Sequence, residues 1–171
     1  MSGPMSFTPD PAPRVGTLPA WRVRPAQRAD IEGVAAAVAE LLAELGATPP
    51  PQAAIQDTAQ ALLENPDAGI LLIAEAGEEL VGVLGASWQI AMHVPGRYGL
   101  IQDLWVARSW RGHTIGATLL RALEERAREL GIARLEVGLP KESFAGLDAT
   151  AAFYRAGGFD PLGARMRRLI E

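Results

Sequence analysis

The stretch that most constrains this chain is Leu100 to Leu130, LIQDLWVARSWRGHTIGATLLRALEERAREL. An apolar-rich run, Leu100–Val106, enters a short basic, glycine-bearing turn, Arg108–Gly116. The turn opens an amphipathic helix that ends near Gly131, with Ile115, Leu119, Leu120, Leu123 and Leu130 on one face. Ala133–Gly138 then alternates as a strand. A strand that reaches the next strand through a helix lies parallel to it, by a right-handed crossover. The stretch therefore calls for an α/β sheet with a parallel pair. It also makes a place for an anion, because the first N–H groups of a helix have no intrahelical partner and the helix dipole favours negative charge there. Gly112 and Gly116 lack a Cβ, so a diphosphate can approach the backbone, and Arg111 adds a positive charge. A plain helix-capping turn is the alternative. The turn is not a Walker loop, since no G-K-[ST] follows, and G-x-G-x-x-G is absent.

The remaining elements complete the sheet. Trp21–Arg24 reads as a short first strand before Pro25. Asp30 is placed as the N-cap of a helix carrying Ile31, Val34, Val38, Leu41, Leu42 and Leu45, and Gly46 fits its C′ position. Pro49, Pro50 and Pro51 precede a second helix over about Gln52–Glu64, stopped by Asn65-Pro66-Asp67. Ile70–Glu75, Leu80–Met92 and Tyr98–Val106 are three strands joined by short turns, an antiparallel meander. Gly82 and Gly85 inside the middle strand point to a bulge or a close backbone approach. Asp148 is placed as the cap of a last helix to about Ala156, ended by Gly157-Gly158, and Phe159 with Arg165–Ile170 suggest one or two closing strands. The order is β-α-α-β-β-β-α-β-α-β, a mixed α/β sheet. Met1 to Pro19 carries prolines at 4, 9, 11, 13 and 19 and little apolar surface, so it reads as a disordered tail ahead of a domain over 20–171.

Composition narrows the chemistry. The absence of cysteine removes disulfides, thiolate metal sites and a cysteine nucleophile together, and fits the cytoplasm. A net charge of −4 provides no basic field for nucleic acid. No apolar run approaches the length of a membrane span, and no signal-peptide core is visible. His93 and His113 are isolated, and no cluster has metal-ligand spacing, so no metal is expected. In the run Gln102-Asp103-Leu104-Trp105-Val106, strict alternation puts Gln102, Leu104 and Val106 on one face and Asp103 and Trp105 on the other. An acid in an apolar strand is costly unless paired or used, so Asp103 is either partnered by an arginine or part of a site.

The turn Arg111-Gly112-His113-Thr114-Ile115-Gly116 resembles motif A, Q/R-x-x-G-x-G/A, of the GCN5-related N-acetyltransferase (GNAT) superfamily. Thr114 stands where that family usually has glycine. Tyr154, in AAFYRAGGF, resembles the tyrosine of the family's late "YxxxGF" signature, and the order of elements from Trp21 to Ile170 is similar to the family's. The resemblance implies an acetyl-CoA cosubstrate. The strand at Leu104, Trp105 and Val106 would pair its backbone with the pantetheine arm, and an N–H there would polarise the thioester carbonyl. Arg111, Gly112, His113, Thr114, Ile115, Gly116 and Ala117 would hold its pyrophosphate. Tyr154 would protonate the departing thiolate. "QDLWV" is similar to the "EDFFV" of the polyamine-type acetyltransferases, with Gln102 replacing the first acid, so Asp103 is left as base or amine binder. The implied reaction is direct transfer of acetyl to a primary amine, a small cationic one favoured, with a homodimer as one assembly. A peptide acceptor, or a CoA-binding module without catalysis, is the alternative.

Overall fold

The computed structural model describes residues 19–163 and 165–169. Most of the expected tail, Met1 to Leu18, lies outside the described residues. Strands β1 (Arg22–Pro25), β2 (Gly69–Ala76), β3 (Glu79–Ala91), β4 (Val94–Val106) and β5 (Leu135–Val137) form one sheet in that order. The first three junctions are antiparallel, and β4 with β5 is parallel. Helices α1 (Ile31–Glu44) and α2 (Gln52–Glu64) precede β2, α3 (Ile115–Glu129) makes the crossover from β4 to β5, and α4 (Leu147–Ala156) follows.

The period-2 alternation of the strands divides the core in two. Leu72, Ala74, Leu84, Ala86 and Ile101 face α3 and bury Ile115, Leu119, Leu120 and Leu123. Leu71, Ile73, Val83 and Trp105 face Ile31, Val34 and Ala37 of α1 and Ala59 of α2. Each fully buried Leu or Ile contributes about 1.5–3 kcal/mol. The pairs on the outer side of α3, Arg126–Glu129 and Arg128–Glu124, are exposed and contribute about 0.3–0.5 kcal/mol each. Packing, not its charged face, holds α3 on the sheet. Gly82 allows the close approach, since a Cβ there would lie 2.9 Å from the Ile115 side chain.

Three local expectations change. Asp30 does not cap α1 with its side chain. Its carboxylate accepts from the Gln27 backbone N–H at 2.7 Å and from both terminal nitrogens of Arg24 at 2.7 and 3.0 Å, because the Arg24–Glu75 pair on the β1–β2 ladder draws it back. Gly146, not Asp148, occupies the N-cap of α4, and Asp148 lies in its first turn. No closing strand forms among the described residues after α4, and Ile170 lies outside them. Phe159 packs on Tyr154 instead, with ring centroids 5.4 Å apart. With only three residues in β5, the sheet offers few ladder positions on that side.

Candidate active site

The site forms where β4 and β5 part. β5 pairs with β4 only from Gly99 to Ile101, so from Gln102 to Val106 that side of β4 carries no strand. A groove of about 700 Å³ fills the gap, with Leu104, Trp105, Val106, Val137, Phe153 and Tyr154 among its walls. One end of it is the start of α3, reached through a single 3₁₀ turn, Arg108–Trp110. No side chain caps the first turn of α3. Arg111, Gly112, Thr114, Ile115, Gly116 and Ala117 all border the groove, whereas His113 and Asp103 are not among its lining residues.

The loop's backbone explains its residue types, with two departures. Gly112 sits at φ +79° with open space around it, so its role is conformational. Gly116 does not leave its Cα bare for a ligand, because a Cβ there would lie 3.1 Å from the Phe153 ring. Thr114 adopts φ 64°, ψ 4°, the left-handed region, where a β-branched residue is strained. Its hydroxyl donates to the His113 carbonyl at 2.6 Å, and its own carbonyl accepts from the Thr118 backbone and hydroxyl. Thr114→Gly is expected to raise stability by up to about 1 kcal/mol. The relieved strain of about 1–2 kcal/mol exceeds the extra entropy of a glycine. Urea unfolding with an unchanged m-value would show it, and a fall in the midpoint would mean the hydroxyl contact matters more.

A bulge in β4 overturns the strict alternation expected around Asp103. Gly85 pairs with Asp103 but Ala86 pairs with Ile101, which leaves Gln102 as an extra residue. Gln102 then turns to the α1–α2 side, where its amide donates to the Ser87 hydroxyl at 2.9 Å. Asp103 follows on the same side, since a Cβ on Gly85 would meet its carboxylate oxygen at 3.7 Å. Gly85 and Ser87 are two residues apart on β3 and share that face. Leu104 and Val106 keep the α3 side and Trp105 the other.

The electrostatics single out two groups. Asp103 is half-buried, and burial raises its pKa above the ordinary carboxylate value. Among the described residues no ion pair or hydrogen bond reaches its carboxylate, so the arginine-partnered alternative does not hold. Tyr154 is buried between Phe153 and Phe159, with ring centroids 5.1 and 5.4 Å away. Burial, and then the charge of Asp103, push its hydroxyl up to about 12. Trp88 is core, and Trp105 is both core and groove wall. No group of three or more potential metal ligands occurs among the described residues. No helix among them is long and apolar enough to cross a membrane.

Sequence reasoning missed Glu44. This last residue of α1 lines the groove and holds Arg111, 67 positions away. No local pattern marks such a pairing. The bulge beside Gly85 was expected, but not that its extra residue is Gln102 of the neighbouring strand.

The comparisons agree with this architecture. The model of the Acetyltransferase (GNAT) family matches residues 36–159, from within α1 to just past α4. The chain is 34% identical over 119 residues to an aminoalkylphosphonate N-acetyltransferase of Salmonella typhimurium strain LT2, covering 69% of this chain and 73% of that protein. Among solved structures, a possible acetyltransferase from Clostridium difficile 630 superimposes with a TM-score of 0.74 at 16% identity, over 88% of this chain and 97% of its own. A predicted acetyltransferase with acetyl-CoA from Clostridium acetobutylicum gives 0.73 at 18% identity, over 88% and 96%. At those identities the two structures speak for the fold alone. The family match spans the groove and both its walls, and the identity to a curated N-acetyltransferase runs over two thirds of each chain: this protein is an N-acetyltransferase that belongs to the GNAT family.

Proposed function

We propose that the protein transfers an acetyl group from acetyl-CoA directly to the primary amine of a small, cationic molecule. One observation carries the donor half. The unpaired side of β4, the uncapped start of α3 and Tyr154 border a single groove. An extended pantetheine arm fits beside an unpartnered strand as an added strand does. A diphosphate fits the free N–H groups at the helix start. Acetyl-CoA would supply the activated acyl group. The residues around it do the rest. Backbone N–H groups over Leu104–Val106 orient the acyl oxygen. The amine nitrogen bonds to the acyl carbon as the C–S bond breaks. Tyr154 gives its proton to the departing sulfur, and Asp103 receives the amine's proton, directly or through a water. His113, exposed on the loop, carries no part of this.

The acceptor half rests on charge. Asp103 lies on the α1–α2 face without a cationic partner among the described residues. The two helices over that face carry no basic residue, and besides Glu44 and Glu64, which are paired with arginines, they carry Glu32, Glu40 and Asp57. Such a field favours a protonated amine over an anion. The Salmonella relative's name describes an amine that also carries a phosphonate, which supports an amine acceptor here. Cytoplasmic location and a homodimer belong to the same reading. The test is release of free thiol from acetyl-CoA across a panel of cationic amines, neutral amines, aminoalkylphosphonates and a lysine peptide. Turnover with cationic small amines is expected. Acetyl-CoA binding without turnover of any amine would sink the reading.

A further inference from the structure

The Arg111 guanidinium is already engaged within the protein. Its Nε donates to the Val106 carbonyl at 2.9 Å, and one terminal nitrogen donates to both Glu44 oxygens at 2.9 and 3.0 Å. Two of the three guanidinium nitrogens are thereby engaged. Arg108 adds a donation from Nε to the same carboxylate at 3.3 Å. The Glu44 side chain is 17% exposed against 45% for Arg111 and 72% for Arg108, so the carboxylate is the buried centre of the cluster. Burial alone would raise its pKa, but the hydrogen bonds and charges of Arg111 and then Arg108 outweigh it and hold it below the ordinary value. The backbone fixes its place. The Gly46 N–H bonds to the Ala43 carbonyl and the Ala47 N–H to the Leu42 carbonyl, with Gly46 at φ +74°, which ends α1 in a Schellman turn just beyond Glu44.

A carboxylate in an anion groove has two opposite readings. It competes with the phosphates for Arg111, or it braces the loop that receives them. The contacts distinguish them. Arg111 joins the last carbonyl of β4 to the last side chain of α1, and its own backbone begins the loop that leads to α3. A guanidinium held by two groups at once is fixed in direction as well as charge. We propose that Glu44 is a positioning residue for the acetyl-CoA site: through Arg111 it sets the loop 111–116, so that the diphosphate is held by loop and helix N–H groups rather than by the Arg111 side chain.

This inference rests on the donor reading above, and its test separates the two. Glu44→Gln, Arg111→Lys and the double variant would be compared by acetyl-CoA calorimetry, by KM and kcat, and by thermal melting without ligand. Lysine keeps the charge but cannot reach the Val106 carbonyl and both Glu44 oxygens together. Each single variant is expected to weaken acetyl-CoA binding about tenfold and to raise its KM alike. The kcat at saturation should stay within about twofold, and the double variant should be no weaker than either single. Unchanged or tighter binding by Glu44→Gln, or losses that multiply in the double variant, overturns the proposal. If Glu44→Gln does not melt cooperatively, Arg111→Lys decides alone, and wild-type affinity there overturns it. Failure of the wild-type protein itself to bind acetyl-CoA would overturn the donor reading and this inference with it.

Discussion

Replacing Tyr154 with Phe is expected to lower kcat for acetyl transfer by about 10- to 100-fold while the fold persists. Phenylalanine keeps the ring that packs against Phe153 and Phe159 and removes only the hydroxyl. The effect lies at the low end for a general acid, because a thiol of pKa about 8.5 leaves fairly well as its anion. With its pKa pushed up to about 12 by burial and by the Asp103 charge, the hydroxyl stays protonated across the working range. Any basic limb of the wild-type profile at lower pH therefore belongs to another group. The stability sign is also set. Above about pH 10 the unfolded chain ionises this tyrosine while the fold retains its proton, so folding stability falls as pH rises. Tyr154→Phe removes that loss. Thiol-release rates from neutral to alkaline pH, compared with wild type, measure the catalytic part. A rate unchanged throughout would remove Tyr154 from the mechanism.

Asp103→Asn is expected to cost about 100-fold in kcat/KM for the amine and at the same time to stabilise the fold. Activity should fall because, in the proposed mechanism, the carboxylate takes up the proton and attracts the ammonium. The acid limb of the pH profile, where the raised pKa of Asp103 protonates it, should vanish in the variant. Stability should rise because burial lifts the folded pKa above the unfolded one. Between those two values the fold binds more protons than the unfolded chain, so stability falls as pH rises through them and stays reduced at neutral pH. Asparagine carries no charge to bury and escapes that loss. Denaturant midpoints at pH 4 and pH 7 check the sign: the gain over wild type should be larger at pH 7. A variant that is both less active and less stable at pH 7 would identify Asp103 as structural.

The legible part of this molecule was local. The spacing of Ile115, Leu119, Leu120 and Leu123 marks the buried face of α3, and all four are buried. Gly46 and Gly131 ended their helices as expected, both at positive φ. The helix between two strands required the parallel pairing of β4 with β5, which is the junction that parts to form the groove. The loop 111–116 was readable because a helix start offers free N–H groups whatever the rest of the chain does.

Other features depended on distant partners. Asp30 serves Arg24 and the Gln27 N–H because Glu75, on a neighbouring strand, already holds that arginine. Gly116 carries the family pattern for a glycine, but what fills the space beside it is Phe153 of α4. Thr114 was visible as a departure, while its left-handed backbone was not. The closing strand expected after α4 does not form among the described residues, where a three-residue β5 leaves little to pair with.

The sequence alone determined the order of elements as far as α4, the faces of the helices and the place of the glycine-bearing loop before α3, because each is set by period, turn chemistry and chain direction within a few residues. Tertiary structure decided which face Gln102 shares with Asp103, that Asp103 stands without a cation among the described residues, and that Arg111 answers to Glu44. Each of these is a contact or a register between segments far apart in the chain. A one-residue bulge reverses a side chain's face without altering the composition around it.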